Sequence, residues 1–201
     1  MSRLLSPVTR GLLSLVLLLV AACGAGPTAS FDPSSPCGGV DLQRAAGAYP
    51  ALEARLPRSV TGKAAQTVDS GRYCSAKTLG TLVGHGIHEV RFAGAVFPAS
   101  DGQAGLSTVV FVADGLTAAW MADSYEAGAR ADSRTTGVRR SSLTMDGRPG
   151  FRIDALRATD TSSTGEAVIV WPSADGQAVQ VVIGAGVTEA ALDAATAAFG
   201  A

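Results

Sequence analysis

The 201-residue chain carries 16 basic and 17 acidic residues, a formal net charge of −1, with 47% hydrophobic residues. That balance, with no basic run, excludes a nucleic-acid binder and a polybasic membrane patch. The high apolar content without a long polar tract excludes a disordered chain. Arginine supplies 14 of the 16 basic residues, with only Lys63 and Lys77 besides, which reads as compositional bias rather than recognition chemistry.

The chain opens MSRLLSPVTR, with Arg3 and Arg10 and no acid, and continues into an apolar run over 11–22. These are the charged and apolar regions of a secretory signal, too short for a membrane span. The run stops at Val20-Ala21-Ala22-Cys23, which resembles the lipobox of bacterial lipoproteins. The resemblance implies cleavage before Cys23, a diacylglyceryl thioether on its sulfur and acylation of its new amino group. Two or three acyl chains anchor firmly where one holds only marginally. The implied partner is therefore the membrane, through acylated Cys23. The implied location is the extracytoplasmic face of the cell envelope: the outer leaflet of the plasma membrane, or an outer membrane where there are two. Gly24 after the Cys resembles the outer-membrane address.

The expected layout is a signal peptide over 1–22, an anchor and tether over 23–36, and a single α+β domain over 37–201. Without residues 1–22 the remaining 179 residues hold 14 basic against 17 acidic residues, a charge of −3. That length buries a sizeable core. The stretch GAGPTASFDPSSP (24–36) is rich in Gly, Pro and Ser and reads as a flexible linker. With Cys23 acylated, Cys37 and Cys74 form an even pair in an oxidising compartment, which predicts a disulfide at the near edge of the domain.

Apolar spacing then predicts the elements. Residues 41–56 read as a helix with Ala45, Tyr49, Leu52 and Leu56 on one face, divided by Pro50 and ended by Pro57. Residues 63–69 read as a strand. Ser75 caps a short helix with Leu79, Leu82 and Val83 inward, stopped by Gly84 and Gly86. Residues 88–97 alternate like a strand with one wet face. Residues 106–113, LSTVVFVA, are apolar on both faces and predict a central strand. Thr117 caps a helix to about Ala131. Strands follow over 138–145, 151–156, 167–171 and 177–185, and Thr188 caps a last helix. With Leu143 and Met145 expected on the face of Phe151 and Ile153, the intervening loop needs an odd number of residues, which rules out a two-residue Asp146-Gly147 turn.

The two halves share wording. VFPASDGQA (96–104) matches VWPSADGQA (170–178), GLTAA (115–119) matches GVTEA (186–190), and GKAAQTVD (62–69) matches GRPGFRID (147–154). This predicts a duplicated strand-strand-strand-helix unit, about 57–131 and 138–200. The expected fold class is α+β: one antiparallel sheet with the two long helices packed on a face. The mature chain also resembles, in pattern, exported bacterial proteins with this paired arrangement and no assigned function.

Chemistry-bearing residues are few. GHGIHE offers His85, His88 and Glu89 as a candidate metal set. The flanking glycines and the lack of a third His favour ordinary surface histidines instead. No G-x-S-x-G elbow is present, and Ser107 falls inside a strand where a nucleophile would not be presented. Seven arginines lie between Arg130 and Arg157. Arg139, Arg140 and Arg152 could share an outer sheet face and meet an anion, the alternative being a solvated face balanced by Asp132, Asp146 and Asp154. Trp120, Tyr125 and Trp171 could line a cleft between sheet and helices, or be core. No cofactor is implied. The expected function is a non-enzymatic binding or interaction module on the envelope, the partner being an envelope protein. The alternative is a carrier of a lipid or small apolar ligand.

Overall fold

The computed structural model describes residues 31–37, 43–98 and 105–199. Its first half runs β1 (Gln43–Ala45), α1 (Pro50–Glu53), β2 (Ser59–Val60), β3 (Lys63–Ala64), β4 (Thr67–Tyr73), α2 (Ala76–Leu79), a 3-10 turn (Gly80–His85), β5 (Val90–Pro98), β6 (Gly105–Val112) and α3 (Ala118–Ala131). Its second half runs β7 (Thr135–Met145), β8 (Arg148–Ala158), β9 (Ser163–Pro172), β10 (Val179–Ala185) and α4 (Glu189–Ala198). Eight strands make one antiparallel sheet in the order β1-β4-β5-β6-β10-β9-β8-β7, and β2–β3 form a separate ribbon. The fold is thus α+β. The signal, Cys23, the near part of the tether and the Asp101-Gly102 pair lie outside the described residues.

The meander β4-β5-β6 meets the meander β10-β9-β8 at the sheet's centre, where β6 pairs with β10. These two strands are apolar on both faces, so neither face is left to water at the centre of the sheet. On one face Leu106, Val110, Ile169, Trp171 and Val182 pack against Leu192 and Ala195 of α4 and against Leu56 and Val60. On the other face Phe92, Val109, Phe111, Val179 and Val181 pack against Met121 and Ala122 of α3 and against Leu79, Leu82 and Ile87. These are called the α4 face and the α3 face below.

The two long helices therefore lie on opposite faces, not together on one as their similar caps suggest. Thr117 Oγ1 accepts from Trp120 N at 3.2 Å, and Thr188 Oγ1 from Ala191 N at 3.3 Å. The caps are alike, but the connectors differ: β6 reaches its cap across 113–116, β10 across 186–187. The shared wording of the halves is likewise only partly in register. Val68 stands opposite Ala95, and Arg152 opposite Ile169. Ala95 and Ile169 flank the matched Val96 and Val170, so Val68 corresponds to Arg152. The match of 62–69 with 147–154 is one residue out.

The β7–β8 connection also departs from expectation. It is the two-residue turn: Met145 pairs with Arg148, and Asp146 and Gly147 hold φ of 50° and 77°. Two successive positive φ values make the turn whose twist matches a hairpin. Parity is kept because Leu143 and Met145 join the α4 face, while Phe151 and Ile153 join the α3 face. The odd-loop expectation assumed one buried face, and β8 is covered on both.

Four smaller expectations change. Residues 43–56 are not one helix: Pro50 starts a single turn, its fixed φ suiting that position. Glu53 closes the turn by accepting from Gly47 N at 2.7 Å. The strand expected over 63–69 is split between β3 and β4. β5 is not wet on one face, since Ala93, Ala95 and Phe97 are buried opposite Phe92. Val83, expected inward, is exposed.

Cys37 and Cys74 form the disulfide, with Cα atoms 5.6 Å apart. Residues 31–37 wrap onto the domain around Arg72, which is only 2% exposed. Arg72 Nη1 donates to Ser35 O at 2.6 Å, Nη2 to Ser35 Oγ at 3.1 Å, and Nε to Gln43 Oε1 at 2.7 Å. Its guanidinium lies 5.0 Å from the Phe31 ring centroid. The last part of the expected tether is thus folded structure, because a buried guanidinium needs these acceptors.

Candidate functional site

A concavity lies on the α4 face at the β7 side of the sheet. It has a volume of about 840 Å³. Its floor is β8, β9 and β10, with Leu156 and Gly165 paired across β8–β9. The inner wall is Val187, Leu192 and the first turn of α4; the outer rim is β7 at Arg139. Gly184 permits the wall to sit this close: a Cβ there would stand 2.5 Å from Val187 Cγ2 and 2.6 Å from Leu192 Cδ2. The volume falls within the range of small-ligand clefts.

The charges in this cleft are unevenly matched. Arg152 Nη1 and Nη2 donate to Glu189 at 2.6 and 2.7 Å, and its Nε donates to Asp154 at 2.9 Å. The bonds from Arg152 hold the Glu189 carboxyl below its usual range, and the same bonds raise the Arg152 guanidinium. Arg139 stands directly opposite Asp154 across the β7–β8 ladder. With Asp154 and Glu189 both drawn to Arg152, Arg139 makes no hydrogen bond or ion pair with any described residue. Leu156, half-exposed at 50%, is the most exposed large apolar side chain described.

The three arginines singled out from the sequence do not share a face. Arg139 and Arg152 are on the α4 face. Arg140, opposite Ile153, is on the α3 face, bonded to Asp123 of α3, 3.6 Å from Glu126, and stacked 4.1 Å from the Phe151 ring centroid. Neither Arg140 nor Arg152 is open to an anion: Asp154 of β8 itself holds Arg152, and the carboxylates from the helices, Glu189 on Arg152 and Asp123 on Arg140, are ones a strand pattern cannot reveal.

The metal set is not assembled either. His85 stacks on Trp120 with centroids 4.3 Å apart, and Glu89 accepts from Arg91 Nε at 2.9 Å. Among the described residues no group of three His, Cys, Asp or Glu side chains is placed to hold a metal ion. The aromatics are core: Trp171 is 1% exposed and meets Phe199 edge-on at 5.4 Å, while Tyr125 packs on Phe111 across the opposite face. Burial drives the Tyr125 hydroxyl pKa well upward. Ser107 is buried in β6, as its place in an apolar strand required.

Compared with known proteins, the chain matches no family model and no curated protein. Its function is therefore argued from the geometry.

Leu156 and Gly165 are the cleft residues a sequence reading passes over. One signal was available. Phe151 and Ile153 set the inward parity of β8, and Leu156 breaks it, placing an apolar side chain on the other face. Nothing in the sequence marks Gly165, whose importance is the side chain it leaves out.

On the α3 face Glu166 and Asp132 flank Arg157, at 3.8 and 3.2 Å. Burial raises the Glu166 carboxyl pKa, Arg157 opposing and Asp132 adding to it. Asp132 is held low by the backbone N–H of Arg134 and by Thr135 Oγ1. The trio ties the end of α3 to β8 and β9.

Proposed function

We propose that this protein is a lipid-anchored, extracytoplasmic binding module, without enzymatic activity, whose ligand occupies the cleft over β8–β10. The observation that carries the reading is the exposed Leu156 beside Arg139, which has no partner among the described residues, in a concavity of about 840 Å³. An exposed apolar side chain and an open guanidinium lining one concavity together suit a ligand with an apolar part and an anionic end. Anchoring rests on the lipobox resemblance at Val20–Cys23, and places the domain at the envelope surface. The paired meanders support an ancient duplication of the strands alone, since the helices lie on opposite faces.

The carrier reading is favoured over a flat protein-docking face by the concavity of about 840 Å³ between sheet and α4. Native mass spectrometry of the full-length protein extracted from membranes tests both. A co-purifying small molecule is the expected result; a stoichiometric protein and no small molecule would replace the carrier with an interaction module. Metabolic labelling with palmitate, compared with Cys23→Ala, tests the anchor: label that survives the substitution would remove it.

A further inference from the structure

We propose that the cleft binds an acyl chain ending in a single carboxylate, with the carboxylate on Arg139 and the chain along Leu156, Gly165 and Val187. The proposal deepens the binding-module reading and rests on it.

Three features of the cleft select this chemistry. The first is charge. Arg152 is neutralised by Asp154 and Glu189, and those two carboxylates repel any further negative charge placed deeper in the hollow. Arg139, at the rim, is the guanidinium left without an acceptor there. One anionic group at the rim is matched by Arg139; a ligand with further negative charges is not.

The second is the floor. Leu156 presents apolar surface, and Gly165 has open space above its Cα, with no atom within 4 Å of where a Cβ would be. An extended apolar chain laid from Arg139 toward Val187 crosses both.

The third separates an acyl chain from a peptide. Strands β8, β9 and β10 are hydrogen-bonded to neighbours on both sides. Apart from the β7–β8 bulge opposite Ala155, the backbone groups of the floor are engaged in these ladders. A peptide lying there would lose water from its own backbone groups without replacement, at a cost of roughly 1–3 kcal/mol each. An acyl chain has no such groups.

Photo-crosslinking of the full-length protein in its own membranes tests this. The probes are dodecanoate with a mid-chain diazirine, the matching dodecanol and dodecyl-trimethylammonium, and a short apolar peptide with a free C-terminus and the same diazirine. Labelled sites are mapped by peptide mass spectrometry. The expected result is labelling by dodecanoate within 152–167 and 184–192, about tenfold above the alcohol, as one charge-assisted hydrogen bond provides. Arg139→Gln, at an exposed rim position, lowers dodecanoate labelling about tenfold and leaves dodecanol unchanged. Gly165→Val, which has room for its side chain, abolishes labelling by both. Equal labelling by all acyl probes, indifferent to Arg139, overturns the carboxylate assignment while the cleft stands as the binding surface. Labelling by the peptide alone overturns the acyl chain. No labelling of the cleft by any probe overturns the proposal and the binding-module reading together.

Discussion

Leu143 lies over Gly150 across the β7–β8 hairpin, so closely that a Cβ on Gly150 would stand 2.8 Å from Leu143 Cδ1. The same Cβ would meet Val170 O at 2.9 Å and Trp171 Cβ at 3.1 Å. Gly150→Ala is therefore overpacking against backbone on one side and a leucine on the other. It is expected to cost about 2 kcal/mol, a fall in Tm of about 4–8 °C. Adding Leu143→Ala should recover part of the loss, because the leucine is the movable neighbour and Val170 O is not. An unchanged Tm for Gly150→Ala would show that Leu143 does not seat there.

The turn that follows Leu143 makes a second prediction. Asp146 and Gly147 both have positive φ, so Gly147→Ala should cost about 1 kcal/mol, and Asp146→Asn should be neutral or slightly stabilising. One glycine inserted between them would put Leu143 and Met145 out of step with Gly150 and expose them. That insertion should destabilise far more than Gly147→Ala. Comparable losses in chemical denaturation would mean that the register is not set by the turn.

The wrapped segment around Arg72 predicts two separable losses. Opening the Cys37–Cys74 link, which spans 37 residues, frees the unfolded chain by about 4 kcal/mol on the entropy model. Arg72→Ala leaves Ser35 O and Gln43 without their donor and should cost about 3 kcal/mol. Thiol titration of denatured protein before and after reduction checks the first: two free thiols without reductant would contradict it. Limited proteolysis near Ser35 checks the second, with faster cleavage expected in Arg72→Ala than in the parent.

Asp175 supplies a pH prediction. Its carboxylate accepts from Ser173 Oγ at 2.5 Å and from Gln177 N at 3.0 Å, with Arg55 Nη2 also at 3.0 Å. The Ser173 bond chiefly, then Gln177 N–H, lowers its pKa to about 2. A carboxyl depressed on folding adds stability above the ordinary carboxylate range, and that stability is lost as pH falls toward about 2. Carbonyl-detected NMR titration should place the Asp175 midpoint near about 2 and show it rising in Ser173→Ala. A midpoint in the ordinary range in the parent would remove the bond as its cause.

How much of this was legible beforehand differs by element. The caps Ser75, Thr117 and Thr188, the central strand around Val109, the buried strand at Ile169 and the Cys37–Cys74 pair were all readable. Each depends on local spacing, on a side chain reaching its own backbone, or on counting cysteines. The helix expected over 41–56 failed because Gly47 and Pro50 impose turn geometry that outweighs a weak apolar period. The cleft was not legible, since Arg139, Leu156, Gly165 and Val187 come from four separate stretches.

The sequence by itself determined the type of the elements from Ser75 onward, though not their exact ends, and an α+β sheet with central strands apolar on both sides. Only the tertiary structure decided the faces. Period-two patterning identifies a face when one side is wet, and in β5, β10 and the parts of β8 and β9 toward the β7–β8 turn both sides are covered, so the pattern is silent on which way each side chain points. That choice put α3 and α4 on opposite faces and gave Arg140 the carboxylates of α3. It also gave Arg152 the carboxylate of α4, and left Arg139, one residue from Arg140, facing an open cleft without a partner among the described residues.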